Sequence, residues 1–280
     1  MVTAVSSTSF HAITPRPWLA VWSLGYREWI RFIRQPNRVI GAIGQPVLFW
    51  IFFSEGLGPT FRLPDDAGAS VSFGEYFFPG ALALILLFTA IFTTISIIED
   101  RREGFLQSVL VAPMPRWAMV LGKLLGGSVI AMAQGLIFLM LGLTLGLKIT
   151  LLSWLTVALF SAIIAVGLTA LGFVIAWRMN SVQGFHAIMT LFLFPLWLLS
   201  GAFFPAPEGW LGWIMRCNPL TYAVAGLRRI IYLPEIEKYA AVTQNLPSMA
   251  ACWTVTLTFV ALGAGASWII AGRRTVGDML

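Results

Sequence analysis

Residues 77–98 read FFPGALALILLFTAIFTTISII, an unbroken run without a single charge. A helix needs roughly 20 such residues to cross about 30 Å of hydrocarbon, and only a helix or a closed barrel satisfies its own backbone there. The run lacks the polar stripe of a surface helix and is too long for one buried strand. It reads as a membrane span. Immediately after it comes EDRREG, Glu99 to Gly104, where consecutive charges close the apolar run.

Working outward, five further apolar runs have similar length: about Ile40–Leu57 before it, then Leu124–Leu147, Leu151–Trp177, Phe185–Phe204 and Met249–Ile270 after it. Of the 280 residues, 58% are hydrophobic and 11% charged, with mean hydropathy +0.84. A soluble domain needs a more polar surface than that. The sequence predicts an all-α polytopic membrane protein with six transmembrane helices. Residues 1–39 form an N-terminal segment, 40–271 the membrane domain and 272–280 a tail. Only Lys148-Ile149-Thr150 separates the third and fourth spans, which predicts a tight antiparallel hairpin. The opening residues lack the charged start and apolar core of a cleavable signal peptide.

Six spans put both termini on one side. If that side is the cytoplasm, twelve of the 18 Lys and Arg residues, Arg273 and Arg274 among them, lie in inner segments, and six, including Arg62, in outer ones. The bias favours cytoplasmic termini at the plasma (inner) membrane. The net charge of +6 is then a property of span ends beside lipid headgroups and does not call for nucleic acid.

Three segments outside the spans carry information. In Trp18–Arg34, Arg27, Arg31 and Arg34 fall within about 60° of one another at helical periodicity, with Trp18, Trp22, Trp29 and Phe32 opposite. Such a helix lies in the membrane interface, as an anchor or as a transmitter of motion. In Glu99–Trp117, Phe105, Leu106, Val109 and Leu110 share one face before Pro113 and Pro115. That stretch suits docking into a groove of a soluble partner, or simply caps the span with charge. The loop Pro205–Pro247 is too apolar to be solvated. Gly209–Cys217 and Pro219–Leu233 predict short helices, with Asn218 as N-cap and Pro219 in the first turn. They read as re-entrant helices or as an interfacial hairpin.

The missing chemistry is informative. No phosphate-binding loop occurs, since Gly122-Lys123-Leu124 lacks the hydroxyl that holds Mg²⁺. Paired carboxylates, a His–Cys cluster and a zinc-protease motif are absent too, so the chain is not expected to be an enzyme or to bind a cofactor or metal. Glu55, Lys123 and His186 stand near span ends, and their scarcity argues against proton coupling. Energy would come from outside the chain. Gln45-Pro46 predicts a kink in the first span, and Gly142 with Gly146 a close helix approach. The aromatic fifth span is broken by Pro195. A path for an amphipathic molecule would run along its Phe192, Phe194 and Trp197 and along Phe88 and Phe92 of the second span. Cys217 and Cys252 have no metal spacing, and whether they pair is open.

Taken in order, an interfacial helix, Pro79-Gly80, Glu99–Gly104 with Pro113 beyond, Gly122-Lys123, and Asn218-Pro219-Leu220-Thr221-Tyr222 followed by Gly226-Leu227-Arg228 cover nearly the whole chain. This order resembles the permease subunits of type-2 ATP-binding-cassette exporters, which move drugs, lipid-linked glycans and lipo-oligosaccharides outward. The resemblance implies a homodimer bound to two copies of a separate ATPase, which would carry the ATP and Mg²⁺. It implies a coupling segment of Glu99, Asp100, Arg101, Arg102, Glu103, Gly104, Phe105, Leu106 and Val109. Trp22, Arg27, Trp29, Arg31 and Arg34 would flank it, and Asn218, Pro219, Tyr222 and Arg228 would belong to an outer lid. Export rather than import rests on the resemblance alone. Drug and lipid-linked saccharide stay open as cargo, as do homodimer and heterodimer. The short loop Gly58–Glu75 and the short tail after Arg274 leave no room for an appended module. A non-transporting membrane anchor or assembly subunit is the competing reading.

Overall fold

The computed structural model describes residues 16–60 and 71–272. Arg62, Arg273 and Arg274, most of the first outer loop and the tail lie outside the described residues. Prolines set the first two helices: Pro17 opens α1 (Pro17–Ile33) and Pro36 opens α2 (Pro36–Leu57), each at a first-turn position where a missing N–H costs nothing.

The third helix, α3 (Phe73–Arg102), is longer than the apolar run suggested. Ser72 and Glu75 form a capping box: the Glu75 amide donates to Ser72 Oγ at 3.2 Å, and the Ser72 amide donates to Glu75 Oε2 at 2.8 Å. At its far end, Glu99 to Arg102 are the last helical turn, not the start of a separate loop. Gly104, at φ 75°, then turns the chain into α4 (Phe105–Val111). The expected coupling segment is therefore two elements.

Next comes α5 (Arg116–Leu141), extended by a 3₁₀ turn to Leu145, and α6 (Leu151–Trp177), capped by Thr150 accepting from the Ser153 amide at 3.2 Å. The tight hairpin forms as expected. Of its two glycines, Gly146 serves the turn, with φ 73° and nothing near its missing Cβ, whereas Gly142 allows close approach to α3, since a Cβ there would meet the Phe78 ring at 2.9 Å. The fifth span is a composite of α7 (Val182–Ile188), a π turn (Met189–Leu193), α8 (Phe194–Trp197) and a second π turn (Leu198–Ala202). After it come α9 (Trp210–Cys217), α10 (Pro219–Tyr232), α11 (Ala240–Thr243) and α12 (Met249–Gly272). Six segments are long and apolar enough to cross a membrane. No strand occurs among the described residues.

The helix α3 is the axis of the bundle, 89% buried over its apolar window, whereas α2 and α12 are 11% and 17% buried. Small residues let its neighbours approach. A Cβ at Gly127 would meet Thr93 at 2.5 Å, and one at Gly172 would meet Thr94 at 2.7 Å. Phe78 stacks on Phe138 at 4.8 Å, and the hydroxyl of Thr89 donates to the buried side chain of Gln134.

The N-terminal helix packs along α5. Val21, Leu24, Glu28 and Phe32 form its buried face, so the expected aromatic stripe is split: Trp18 and Trp22 are exposed, Trp29 is half-buried and Phe32 is inside. The contact is close because Gly25, Gly122 and Gly126 meet backbone to backbone. A Cβ at Gly126 would lie 3.0 Å from Glu28 Cβ and 3.1 Å from Gly25 Cα. Gly126→Val should cost about 1–3 kcal/mol by forcing α1 off α5. Gly265→Val, where a Cβ meets open space, should be far milder. Thermal melting in detergent compares the two.

Candidate functional site

At the end of the bundle where α1, α3, α4 and α5 meet, ionic side chains converge on Asp100. Its carboxylate has no exposed surface. Arg27 donates to both of its oxygens, at 3.1 and 2.8 Å, Arg31 donates at 2.6 Å, and the ammonium of Lys123 donates to Oδ2. Lys123 also donates to Glu28 Oε1 at 2.5 Å and to Ser96 Oγ at 3.2 Å. Glu99 accepts from Arg31 at 2.9 Å and from Arg38. With Glu103 3.5 Å from Arg31, four cations face four carboxylates. Charges so poorly solvated persist only when paired and hydrogen-bonded, and a two-pronged Arg–carboxylate contact is the strongest such pair.

This placement corrects two expectations. Arg27 and Arg31 do not form an outward basic stripe; of the three arginines only Arg34 is exposed. The charges of Glu99 and Asp100 are paired within the chain, with Arg27, Arg31, Arg38 and Lys123. Lys123 is not at a span end but two turns inside α5 and buried. Glu28, Arg38 and Lys123 were missed as members of the site, although Glu28 beside the Arg27–Arg31 pair and the glycines around Lys123 were visible signals.

The neighbouring arginines also bond within the chain, Arg101 half-buried and Arg102 at the surface. Arg101 donates to the carbonyls of Trp177 at 2.6 Å and Met179 at 3.1 Å, and Arg102 to that of Asn180 at 2.7 Å. These carbonyls end α6 and have no further helical donor. Arg27 lies 3.7 Å above the ring centroid of Phe105, so one guanidinium joins α4 to the ionic cluster. Leu106 is buried, and Phe105, Val109 and Leu110 are partly so. The apolar face of α4 therefore covers its own bundle. Its exposed face carries Gln107, Ser108 and Val111.

At the opposite end, broken helices leave carbonyls that side chains capture. Pro79 deprives the Glu75 carbonyl of its donor four residues on, and the Tyr232 hydroxyl supplies one. The π turns of the fifth span free others. Asn218 Nδ2 donates to Leu196 O at 2.6 Å and Leu199 O at 3.1 Å, while its Oδ1 accepts from the Leu220 amide at 2.9 Å, capping α10 as expected. Arg228, 2% exposed, donates to Tyr76 O at 3.0 Å and Gly201 O at 3.1 Å and lies over the Tyr76 ring. Pro219 occupies the first turn of α10, and Tyr222 donates its hydroxyl to Arg216 O at 3.0 Å. A cavity of about 920 Å³ runs beneath these residues, lined by Arg228, Tyr222, Thr221 and Asn245 among others.

Sequence reasoning missed the Glu75 cluster, although Ser72-x-x-Glu75 is a legible capping box. Lys238 donates to Glu75 Oε1 at 2.8 Å, and Tyr239 donates to the same oxygen at 2.7 Å. Lys238 is raised above the ordinary lysine value by its hydrogen bonds to Glu75 and Tyr239. Burial, with the Glu75 hydrogen bond, pushes Tyr239 up to about 12, so it stays a donor.

The aromatic residues proposed as a path do not share one surface. Phe88 and Phe92 are in contact at 5.7 Å and partly buried, and Phe194 is half-buried. Phe192 is exposed. Trp197 is a core residue whose indole N–H donates to Gly80 O at 2.8 Å. Cys217 is exposed and Cys252 buried, and both are free thiols.

The profile of the family described as ABC-2 type transporter matches residues 20–232, from α1 to the end of α10, so it includes the whole ionic cluster around Asp100 and, of the other cluster, Glu75 but not Lys238 or Tyr239. The chain belongs to that family. A Cyanophora paradoxa protein carrying the transport-permease name ycf38 is 27% identical over 72% of this chain and 70% of its own length. The inner membrane transport permease YadH of Escherichia coli K12 is 24% identical over 75% of this chain and 82% of its own. Nodulation protein J of Rhizobium leguminosarum bv. viciae is 26% identical over 68% and 72%. This ABC-2 chain is a multispanning transport permease and not itself an enzyme.

Two outcomes follow from the geometry. Lys123→Met leaves Glu28 without a cation in contact except Arg27 at 3.6 Å, and should destabilise the chain by about 3–5 kcal/mol. Adding Glu28→Leu should recover part of that loss, read as a non-additive double-mutant cycle in unfolding experiments. A raised lysine contributes stability fully below its ordinary pKa and loses it only as pH rises through the raised value. The outer lobe should therefore keep its protease resistance from neutral into mildly alkaline pH, and Lys238→Gln should lower it already at neutral pH.

Proposed function

We propose that this permease is the membrane half of an ATP-driven exporter, dimeric, with separate ATPase subunits that carry the ATP and Mg²⁺. The observation that supports this reading most is the continuous contact from Phe105 through Arg27 to Asp100 and Lys123. A displacement of α4 by a partner is passed to α1 through the ring contact of Phe105 with Arg27, and from there to α3 and α5 by short charge-assisted bonds. The exposed Gln107, Ser108 and Val111 are the surface such a partner would meet.

The exposed face of α2 supports a second copy. Asn37, Gly41, Gln45, Leu48, Phe52 and Glu55 recur on it at helical spacing, and a Cβ at Gly41 would meet nothing. Polar and small residues on a span's outer face suit contact with another helix better than lipid. The bias of Lys and Arg supports cytoplasmic termini in the inner membrane, the location in the printed name of the E. coli relative. The apolar spans suit an amphipathic or lipid-linked cargo, taken from the cytoplasm or the inner leaflet. The other reading, a non-transporting anchor or assembly subunit, is favoured by one observation: the Glu99 and Asp100 charges are satisfied within the chain.

Charge reversal at Glu99 would break internal pairs, so the discriminating variant is Ser108→Arg/Val111→Asp on the exposed face of α4. The wild type should retain its ATPase through purification. The variant should lose at least about tenfold of that retention with an unchanged melting temperature. Equal retention, or no ATPase with either protein, supports the anchor.

A further inference from the structure

A groove of about 600 Å³ opens beside the junction of α1 and α2. It is lined by Arg27, Arg31 and Arg34, together with Tyr26, Ile30, Gln35 and Glu103. Arg27 and Arg31 already donate to Asp100 and Glu99. Arg34 is exposed, and its side chain makes no hydrogen bond or ion pair among the described residues. The side-chain oxygen of Gln35 is buried without a partner. The groove thus offers an unneutralised guanidinium in a lining that also holds Gln35, whose buried oxygen lacks a donor, and a buried polar atom in that state costs free energy until something satisfies it.

The flank of the groove identifies the class of ligand. Leu19, Trp22, Tyr26 and Ile33 are exposed by 54–71%, and with Ile30 they recur at three- and four-residue spacing on one face of α1. Arg27, Arg31 and Arg34 follow Tyr26, Ile30 and Ile33 directly in the chain, and of the three Arg34 is the exposed one. An acidic segment of a soluble protein would use the arginines and leave this stripe in water. A phospholipid uses both: its phosphate meets the arginines and its acyl chains meet the apolar stripe. With Arg27 and Arg31 already paired, Arg34 is the cation of the groove left over, and it disfavours a choline headgroup, which would bring its own cation. The Gln35 oxygen calls for a hydroxyl.

We propose that this groove binds an anionic, hydroxyl-bearing phospholipid headgroup of the phosphatidylglycerol type, with its phosphate at Arg34 beside Arg31 and its hydroxyl donating to Gln35. The site rests on the membrane placement of α1 and on neither cargo nor ATPase.

The test is native mass spectrometry of the full-length chain in mild detergent, titrated separately with phosphatidylglycerol and phosphatidylcholine. Phosphatidylglycerol should bind preferentially, about tenfold more weakly to Arg34→Gln, with Arg34→Lys restoring part of the affinity. Arg216→Gln, at the other end of the bundle, should bind as wild type. Arg34 is exposed, so its variants should melt as wild type in the absence of added lipid, which separates lost binding from lost fold. Equal binding of the two lipids, or unchanged binding by Arg34→Gln, overturns the proposal. Displacement by excess inorganic phosphate makes the groove a free-anion site and overturns it as well. So does loss of the lipid when the ATPase is added, if Arg34→Gln also weakens ATPase retention. The assay needs no transport, so its failure leaves the export reading standing, and the reverse holds too.

Discussion

Asp100 is a carboxylate at the end of a membrane helix with no surface left to water, and one end of the bundle is arranged around that fact. An uncompensated charge there would cost several kcal/mol. Three cations from two other helices meet it: Arg27 and Arg31 from α1, Lys123 from α5. For Lys123 and Glu28 to reach each other, α1 must lie almost against α5, which is why glycines stand at 25, 122 and 126. Backbone clearance and charge pairing are one requirement seen from two sides. The same demand explains why α3 stays helical through Arg102: its last turn is held by partners on α1, α2 and α5 and by the end of α6.

The other end obeys a different constraint, that of main-chain carbonyls without helical donors. Pro79 and two π turns interrupt the regular ladder inside apolar surroundings, where water is no substitute. Each carbonyl that Tyr232, Trp197, Asn218 or Arg228 bonds, whether freed by a break or inside α3, becomes a tie among α3, the fifth span and α10. A kink that would otherwise weaken the bundle is thereby turned into its inter-helix contacts. The functional residues in this region are consequently aromatic hydroxyls, an indole, an amide and a guanidinium, all of them donors.

The spans, the hairpin at Lys148–Thr150 and the capping of α10 by Asn218 and Pro219 were legible in the sequence, because they depend on local periodicity and on residues whose backbone preferences travel with them. The ionic cluster was not. Arg27 and Arg31 are three and four residues from other arginines and looked like a solvated stripe. Their partner at Asp100 is remote in the chain, and no local rule pairs them. Trp197 misled for a similar reason: an aromatic in a Pro-broken span is read by its ring, whereas its N–H decided its position. The coupling segment fell between these cases, with the apolar face of α4 foreseen and its orientation toward the bundle not.

Of the two π turns of the fifth span, Met189–Leu193 holds one more residue per turn than an α-helix requires, whereas Leu198–Ala202 is kinked at Leu199 and Gly201. That surplus is slack along the axis of a segment whose outer end is clamped by Asn218 and Trp197. Relaxing the Met189–Leu193 turn to α geometry would rotate the residues on one side of it by about 100° and slide them by about 1.5 Å relative to the other. With the outer end clamped, the rotation falls on α7 and on Phe192, which now points out of the bundle. The fifth span therefore has a built-in register change, available without breaking the ties that hold the outer helices in place.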